Sequence, residues 1–320
     1  MRIPPAIVSF FSRFIPRRTA KHVVGPLLER REKTRYRPER FWQSWHAAME
    51  AAEDGATIAL DQDPRFARFH YNSVENAIIM ALHGEPVEQQ PAVLDVGAGA
   101  GHWADFYREV YDADRVTAVD IAPACVNALA AKYENEAAVS VRQADVADPR
   151  FHLPRRFDIV NAIGVLFHIV DDGRWERALC NLADHLREDG VLVVGCNFGR
   201  LTRNVQFHDT DTFGDWREAQ SGEADVALVN KRIRSRRMWR RCAERTGLEI
   251  AAVCRTVEQR GIPMPENTVI TLKHNPRAQG NLPRDRPSQT KGRDRTREAG
   301  ERAGPPAGAR RGNHGSQAGR

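Results

Sequence analysis

An apolar strand pattern that runs straight into a glycine-rich turn is the feature that most constrains the fold of this chain of 320 residues. Residues 93–101 are Val-Leu-Asp-Val-Gly-Ala-Gly-Ala-Gly, and a second apolar run, residues 116–120, ends on Asp120. The glycines let a ligand approach the backbone where a Cβ would collide, and the helix that follows presents unpaired N–H groups. Asp120 can accept both hydroxyl protons of a ribose. Together these features predict a nucleotide-type cofactor site.

The spacing of the turn indicates which cofactor it suits. A dinucleotide fingerprint has its third glycine three residues after the second, but this chain has His102 there. Asp95, just before the turn, would repel a pyrophosphate and can receive an ammonium group. The pattern therefore favours S-adenosylmethionine, a cofactor without phosphate, over a nicotinamide dinucleotide.

The order and spacing of further motifs resemble those of the Rossmann-like (class I) S-adenosylmethionine-dependent methyltransferases. The resemblance covers about residues 93–274. It rests on the glycine turn at 93–101, the second strand at 116–120, the acidic segment at 143–146, the fourth strand with its following segment at 157–160 and 164–169, and the helix, turn and strand at 175–197.

The resemblance implies a cofactor-binding role for several of these segments. It assigns the amino-acid moiety of the cofactor to the turn, the ribose to the end of the second strand, the adenine to the acidic segment and the inner face to the end of the fourth strand. The cofactor-binding residues expected in that order are Asp95, Gly97, Ala98, Gly99 and Gly101, then Asp120 and Ile121, then Asp145 and Val146, then Ala162 and Ile163.

Strand and helix patterns alternate after residue 92, which predicts an α/β fold with a mostly parallel sheet covered by helices on both faces. The resemblance makes this a Rossmann-like sheet of seven strands with the last strand antiparallel. The predicted helices are 104–110, 123–133 and 175–186, and the predicted strands are 93–97, 115–120, 139–143, 157–162, 191–196, 248–254 and 268–273.

The residues expected to face the methyl acceptor lie outside the glycine turn. His168 follows the fourth strand and is the candidate catalytic base, because imidazole titrates near neutral pH; the alternative is a packing histidine. His70 and Tyr71, in the predicted helical lid region 41–92, are candidate substrate contacts. Asn72 and Glu75 have the spacing of a helix N-cap and its third helical residue. Residues 198–229, with His208, are predicted to form a substrate cap or a solvated insertion.

The positive charge belongs to the two ends of the chain. Residues 1–40 hold eleven Lys or Arg against three acids, and residues 277–320 hold eleven against four, although the net charge of the whole chain is only +6. The part between them, with the methyltransferase domain predicted at 93–276, is therefore acidic and gives no general case for nucleic-acid binding. The tail 277–320 is poor in apolar residues and is predicted to be a disordered basic tail.

The first forty residues form a basic amphipathic segment with two open interpretations. Residues 3–21 could make peripheral contact with a membrane surface, or they could form a helix that packs on the core or on a partner subunit. The five cysteines are odd in number and far apart, which favours reduced, cytoplasmic thiols, and none has the spacing of a metal site. We expect a cytoplasmic protein without a structural metal.

The acceptor is the least constrained part of the prediction. Residues 161–164 are Asn-Ala-Ile-Gly and lack the Asn/Asp-Pro-Pro-aromatic signature of base amino methylation, so a small-molecule or lipid-like acceptor is favoured. Two alternatives stay open: an RNA or protein methyltransferase recruited by the basic ends, and a cofactor-binding regulatory protein without turnover. The sequence makes no prediction of the oligomeric state.

Overall fold

The structure is a computed structural model, and it describes residues 42–43, 64–196, 198–199, 202–207, 229–257 and 268–276. The expectations for the amino-terminal segment 1–40, for His208, for most of the 198–229 insertion and for the tail 277–320 lie outside the described residues.

Helices and strands alternate from residue 64 to residue 143. The helices are α1 (Pro64–Leu82), α2 (His102–Tyr111), α3 (Pro123–Lys132), α4 (Asp172–Asp184) and α5 (Arg236–Thr246), and a 3-10 turn spans Leu166–His168. The strands are β1 (Ala92–Val96), β2 (Arg115–Asp120), β3 (Val139–Gln143), β4 (Phe157–Ala162), β5 (Leu186–Cys196), β6 (Phe198–Gly199), β7 (Arg203–Phe207), β8 (Val229–Ser235), β9 (Leu248–Arg255) and β10 (Thr268–His274). Within the described residues, β4 follows β3, and β10 follows β9, without an intervening helix.

Seven strands form one sheet in the order β3-β2-β1-β4-β5-β10-β9. The first five pair in parallel, whereas β10 runs antiparallel to both β5 and β9. The prediction of a Rossmann-like, mostly parallel seven-stranded sheet with an antiparallel last strand is therefore confirmed. Because β1 lies between β2 and β4, the strand order reverses there, and a ligand crevice is expected at the carboxyl ends of β1 and β4.

Alternate residues of the central strands feed two apolar cores, one on each face of the sheet. On β5, Leu192 and Val194 pack in the core under α4 and α5, while Val191 and Val193 pack in the core under α1 and α2. This alternation explains the unbroken apolar run of β5, since both faces of a parallel sheet are buried. Helices cover both faces, as predicted.

Local signals set most of the helix ends. Pro123 suits the first turn of α3, Asp171 accepts a hydrogen bond of 2.8 Å from the N–H of Arg174 at the start of α4, and Ser235 caps α5 through the N–H of Met238. Gly247 ends α5 in the left-handed conformation, with φ 77°.

Two boundaries differ from the sequence prediction by more than three residues. Asn72 is not an N-cap, because α1 already begins at Pro64 and carries Asn72 in its interior. Strand β5 begins at Leu186 rather than at residue 191, and Leu186 pairs with Phe157 across an irregularity in the β4–β5 ladder. Tertiary packing on the sheet overrides the local turn signal in both places.

A smaller sheet follows β5. Strand β8 pairs in parallel with β6 and antiparallel with β7, so that Arg203 is opposite Ile233 and Phe207 is opposite Val229. We refer to β7 and β8 as the hairpin strands. Strand β7 lies within residues 198–229, where the sequence predicts a substrate cap, and β8 begins at the last residue of that range and leads directly into α5.

Two global expectations concern membranes and thiols. Within the described ranges, no helix combines the length and the apolar character needed to cross a bilayer. All five cysteines are free thiols; Cys125, Cys196 and Cys242 are buried, and Cys180 and Cys254 are half-buried.

Candidate active site

The glycine turn lies at the carboxyl end of β1 and contains three glycines in the left-handed conformation. Gly97, Gly99 and Gly101 have φ of 70°, 54° and 85°. A Cβ on Gly101 would lie 2.5 Å from Tyr133 Oη, and one on Gly97 would collide with Val165 Cγ2. The turn therefore needs glycine for its backbone conformation, and at Gly97 and Gly101 also because protein atoms leave no room for a side chain.

Asp120, at the end of β2, holds this turn in place. Its Oδ2 accepts a hydrogen bond of 3.0 Å from the N–H of Gly99, and its Oδ1 accepts one of 2.9 Å from the N–H of Ala122. A carboxylate has about four acceptor positions, so each oxygen retains one for a ligand. Asp120, the residue predicted to contact the ribose, thus also fixes the backbone against which the cofactor would lie.

Asp95 lies beneath the turn, and its side chain has no exposed surface. Its Oδ1 accepts a hydrogen bond of 2.8 Å from Asn161 Nδ2 on β4, whereas no described group donates to its buried Oδ2. Burial raises the pKa of Asp95 to about 7, the hydrogen bond from Asn161 opposes that rise, and the negative charge of Asp120 adds to it. A cation placed near the turn would favour the ionised form of Asp95.

The charges around the turn are mostly negative. Asp95, Asp105 and Asp120 lie close enough to affect one another, since the latter two both raise the pKa of Asp95. Lys132 also contacts the turn: it donates to Ala100 O at 3.0 Å and pairs with Asp105. Such a site favours a cationic ligand over a pyrophosphate.

The segment after β3 carries the acid predicted to contact an adenine. Asp145 Oδ1 accepts from the N–H of Ala147 at 2.8 Å, and its Oδ2 accepts from Arg174 Nη2 at 2.6 Å. Val146 is buried, and the N–H of Ala144 bonds Asp120 O at 3.0 Å, which ties this segment to the end of β2. Sequence reasoning missed Arg174, because no local pattern links the start of α4 to Asp145.

The segment after β4 closes the other side of the turn. Ala162, at the end of β4, and Ile163, just after it, are both buried. Val165 is half-buried, and its side chain covers Gly97. His168 ends the 3-10 turn and is only 6% exposed. Its ring contacts Phe167 at a centroid distance of 4.5 Å and Trp42 at 4.9 Å. Trp42, which the sequence did not single out, thus brings the predicted lid region against the candidate base.

Helix α1 approaches the site from the amino-terminal side. The Tyr71 ring lies 3.8 Å from that of His102, and Glu75 Oε1 lies 2.8 Å from His102 Nε2. Burial lowers the pKa of His102, while Glu75 acts in the opposite direction. His70 is buried on the same helix. Tyr71, an expected substrate contact, therefore packs on His102, the first residue of α2. Helix α1 thus contacts the residue that directly follows the glycine turn.

The structure thus brings the predicted cofactor residues to one edge of the sheet, at the carboxyl ends of β1 to β4. Asp120 and the glycine turn are in direct contact, and Asp95 lies beneath them rather than at the surface. Ile121 is half-buried next to Asp120. His208 lies outside the described residues, so its expected role as a substrate contact stays a prediction.

Comparison with known proteins gives one match to a family model, which describes a methyltransferase domain and covers residues 93–190. An uncharacterized protein of Synechococcus sp. is 28% identical over 200 residues, which make up 57% of this chain and 44% of that protein. The chain therefore spans less than half the length of that curated relative.

Solved structures with a similar fold include one described as a complex with SAH and one described as an S-adenosylmethionine-dependent enzyme. The DhpI–SAH complex is 19% identical, with a TM-score of 0.49, and covers 74% of this chain and 97% of its own. An S-adenosylmethionine-dependent methyltransferase from Clostridium acetobutylicum is 14% identical, with a TM-score of 0.48, and covers 67% of this chain and 93% of its own.

Proposed function

The chain belongs to the class I S-adenosylmethionine-dependent methyltransferases through residues 93–190, and on that premise we propose that it methylates an oxygen, nitrogen or carbon nucleophile of a small-molecule or lipid-like acceptor. The match over 93–190, a range that holds the glycine turn, Asp120, Asp145 and His168, carries the methyltransferase activity. The acceptor class is favoured by residues 161–164, which lack the signature of base amino methylation. The cofactor is S-adenosylmethionine.

The residues at the turn fit that cofactor, which is cationic at its sulfonium and at its ammonium group. Asp95 and Asp120 supply negative charge, and the buried Oδ2 of Asp95 has no described donor. Asp120 would hold the ribose hydroxyls, the turn backbone the amino-acid moiety, and the segment at Asp145 and Val146 the adenine. The bound cofactor supplies a methyl group on a sulfonium that is already a strong electrophile.

The protein's own task is then to orient the acceptor and to exclude water. The segment after β4 borders the turn through the contact of Val165 with Gly97, and the buried His168 with its aromatic neighbours lies on the same segment. In this proposal an imidazole nitrogen of His168 takes the proton that the acceptor releases, or its hydrogen bond orients the nucleophile.

A labelling experiment tests the acceptor class. The full chain is incubated with S-adenosylmethionine labelled on the methyl group and, in separate reactions, with a small-molecule and lipid extract, total RNA, or dialysed protein. We expect label in the first fraction, loss of transfer in Asp120→Asn, and unchanged transfer in the matched control Asp114→Asn at the far end of β2. Label mainly in RNA or protein, or no transfer despite cofactor binding, would overturn the proposed acceptor class.

One observation favours a polyanionic acceptor such as RNA as the second candidate. Helix α5 exposes Arg236, Arg237, Arg240 and Arg241, which the helical repeat places on one face. If RNA is the acceptor, a variant that carries Arg237→Glu, Arg240→Glu and Arg241→Glu loses transfer to RNA and keeps cofactor affinity. Unchanged transfer in this variant would remove the support that α5 gives to the RNA candidate.

A further inference from the structure

Strand β8 packs against the segment that follows β4. Its partner β7 runs antiparallel to it, and its last residues lead into α5. We define the acceptor loop as residues 164–169, which contain the 3-10 turn with His168 at its end. Two cations of β8 reach toward this loop from the hairpin, Lys231 over the Phe167 ring at 4.3 Å and Arg234 at the loop backbone.

Arg234 is a charged side chain in a fully buried position, with 1% of its surface exposed. Its Nη2 donates a hydrogen bond of 2.7 Å to Ile169 O, and its Nη1 donates one of 3.4 Å to Leu166 O. Its Nε donates to Asp172 Oδ1 at 3.2 Å, and its Cζ lies 4.2 Å from the centre of the Trp175 ring. One guanidinium thus holds both carbonyls that flank residues 167 and 168.

The energetics show why these contacts matter. Burial lowers the pKa of Arg234 to about 10 and Asp172 raises it, so the side chain stays charged at neutral pH. A buried charge is costly unless it is paired and its donors are satisfied, and here the loop carbonyls and Asp172 take that role. The contact works in both directions: the loop carbonyls stabilise Arg234, and Arg234 fixes the loop.

We propose that Arg234 is a positioning residue that clamps the acceptor loop to the hairpin strands, so that the placement of the hairpin sets the placement of His168. The inference rests on the proposed function, in which this loop borders the acceptor. It goes beyond that function because it links strand β8, which follows the predicted cap, to the candidate base.

Arg232 gives a matched control on the same strand. It donates to Oδ1 and Oδ2 of Asp172 at 2.6 Å each, so it shares the carboxylate that Arg234 uses. Its side chain is 12% exposed, against 1% for Arg234. Arg232→Ala removes a cation of the same type from the same carboxylate and leaves the two bonds from Arg234 to the loop carbonyls in place.

The proposed role of Arg234 requires the planar guanidinium group. A guanidinium can donate in parallel to two carbonyls and a carboxylate, whereas an ammonium is a point donor that cannot span the same acceptors. Arg234→Lys therefore keeps the charge and loses the geometry. Methylguanidinium added to Arg234→Ala restores the fork, and methylammonium does not.

The test uses the full chain with ¹⁵N-labelled histidine and isoleucine. Ring signals of His168, assigned with His168→Gln, report the loop, and amide exchange of His168 and Ile169 reports its opening. We expect Arg234→Ala and Arg234→Lys to shift or broaden the His168 signals and to speed exchange of both amides about tenfold, the effect of a lost hydrogen bond of roughly 1.4 kcal/mol. Methylguanidinium should reverse this in Arg234→Ala, and Arg232→Ala should resemble the native chain.

The outcomes separate this inference from the proposed function. The proposal is wrong if Arg234→Lys keeps the native His168 signals and the native amide exchange. It is also wrong if methylammonium rescues Arg234→Ala as well as methylguanidinium does. If Arg234→Ala does not fold, the comparison of His168 signals and amide exchange between Arg234→Lys and Arg232→Ala tests the proposal. Binding of S-adenosylhomocysteine, measured alongside, should stay within about twofold of native in every variant; absence of binding in the native chain speaks against the proposed function and leaves the clamp measurement intact.

Discussion

Asn161 Nδ2 donates a hydrogen bond of 2.8 Å to Asp95 Oδ1, and both side chains are fully buried. Tyr107 Oη donates in turn to Asn161 Oδ1 at 3.2 Å. This chain of three polar side chains joins β4, β1 and α2 directly beneath the glycine turn. It places the acid of the turn where its charge is strongly disfavoured in the absence of a cation.

The first prediction is a pH dependence of stability that Asp95 causes. Because burial raises its pKa from 3.8 to about 7, the folded chain keeps a proton that the unfolded chain releases above about pH 4. The stability that Asp95 contributes is therefore complete below pH 4 and is lost as the pH rises through 7. In urea denaturation, the free energy of unfolding of the native chain minus that of Asp95→Asn should fall by about 4 kcal/mol between pH 4 and pH 8.

Asp114→Asn is the control for this measurement, because Asp114 is an exposed acid paired with its neighbour Arg115. Its stability should run parallel to that of the native chain over the same range of pH. A constant difference between native and Asp95→Asn across this range would contradict the buried-acid account.

The second prediction concerns the space at Gly101. In Gly101→Ala the new Cβ meets Tyr133 Oη at 2.5 Å and the residue must keep φ +85°, so we expect a loss of about 2 to 4 kcal/mol in unfolding free energy. Gly84→Ala is the matched control, since Gly84 has φ +92° and no atom within 4 Å of the new Cβ, and should cost only about 1 kcal/mol. Equal losses in the two variants would show that backbone conformation alone requires glycine at Gly101.

The third prediction tests how α3 supports the glycine turn. Tyr133 Oη lies 3.0 Å from Gly101 O and 2.7 Å from Asp105 Oδ1, so its proton is shared between two acceptors at the start of α2. Tyr133→Phe should lower the unfolding free energy by about 1 to 2 kcal/mol and weaken S-adenosylhomocysteine binding by roughly tenfold, because the turn loses a support. Calorimetry and urea denaturation measure the two effects.

Tyr111→Phe is the control for Tyr133→Phe. Tyr111 lies at the other end of α2, and within the described part of the chain its hydroxyl makes no hydrogen bond. It should leave cofactor affinity unchanged and alter stability by less than about 0.5 kcal/mol. An equal loss of affinity in both variants would mean that the Tyr133 hydroxyl does not support the turn.

Most strands could be predicted from the sequence because each is a short run rich in β-branched residues with a definite end. Strands β2, β3 and β4 have the predicted bounds, and the glycine turn follows β1 as its local pattern predicts. Where the local signal was ambiguous, as at Asn72 and at Leu186, packing on the sheet decided the boundary.

The residues that sequence reasoning missed are those whose partners lie far along the chain. Arg174 on Asp145, Trp42 on His168 and Arg234 on the acceptor loop each depend on the three-dimensional arrangement of separate elements. No local periodicity or spacing signals such contacts. The strands β7 and β8 were also missed, because their polar sequence resembles a solvated loop.

Binding of S-adenosylhomocysteine to the full chain, measured by calorimetry, tests the central claim most directly. We predict saturable binding in the range of roughly 1 μM to 1 mM, a loss of at least about tenfold in Asp120→Ala, native affinity in Asp114→Ala, and no heat from NADH. Absence of binding, or binding of NADH in its place, would contradict the assignment of this site to S-adenosylmethionine.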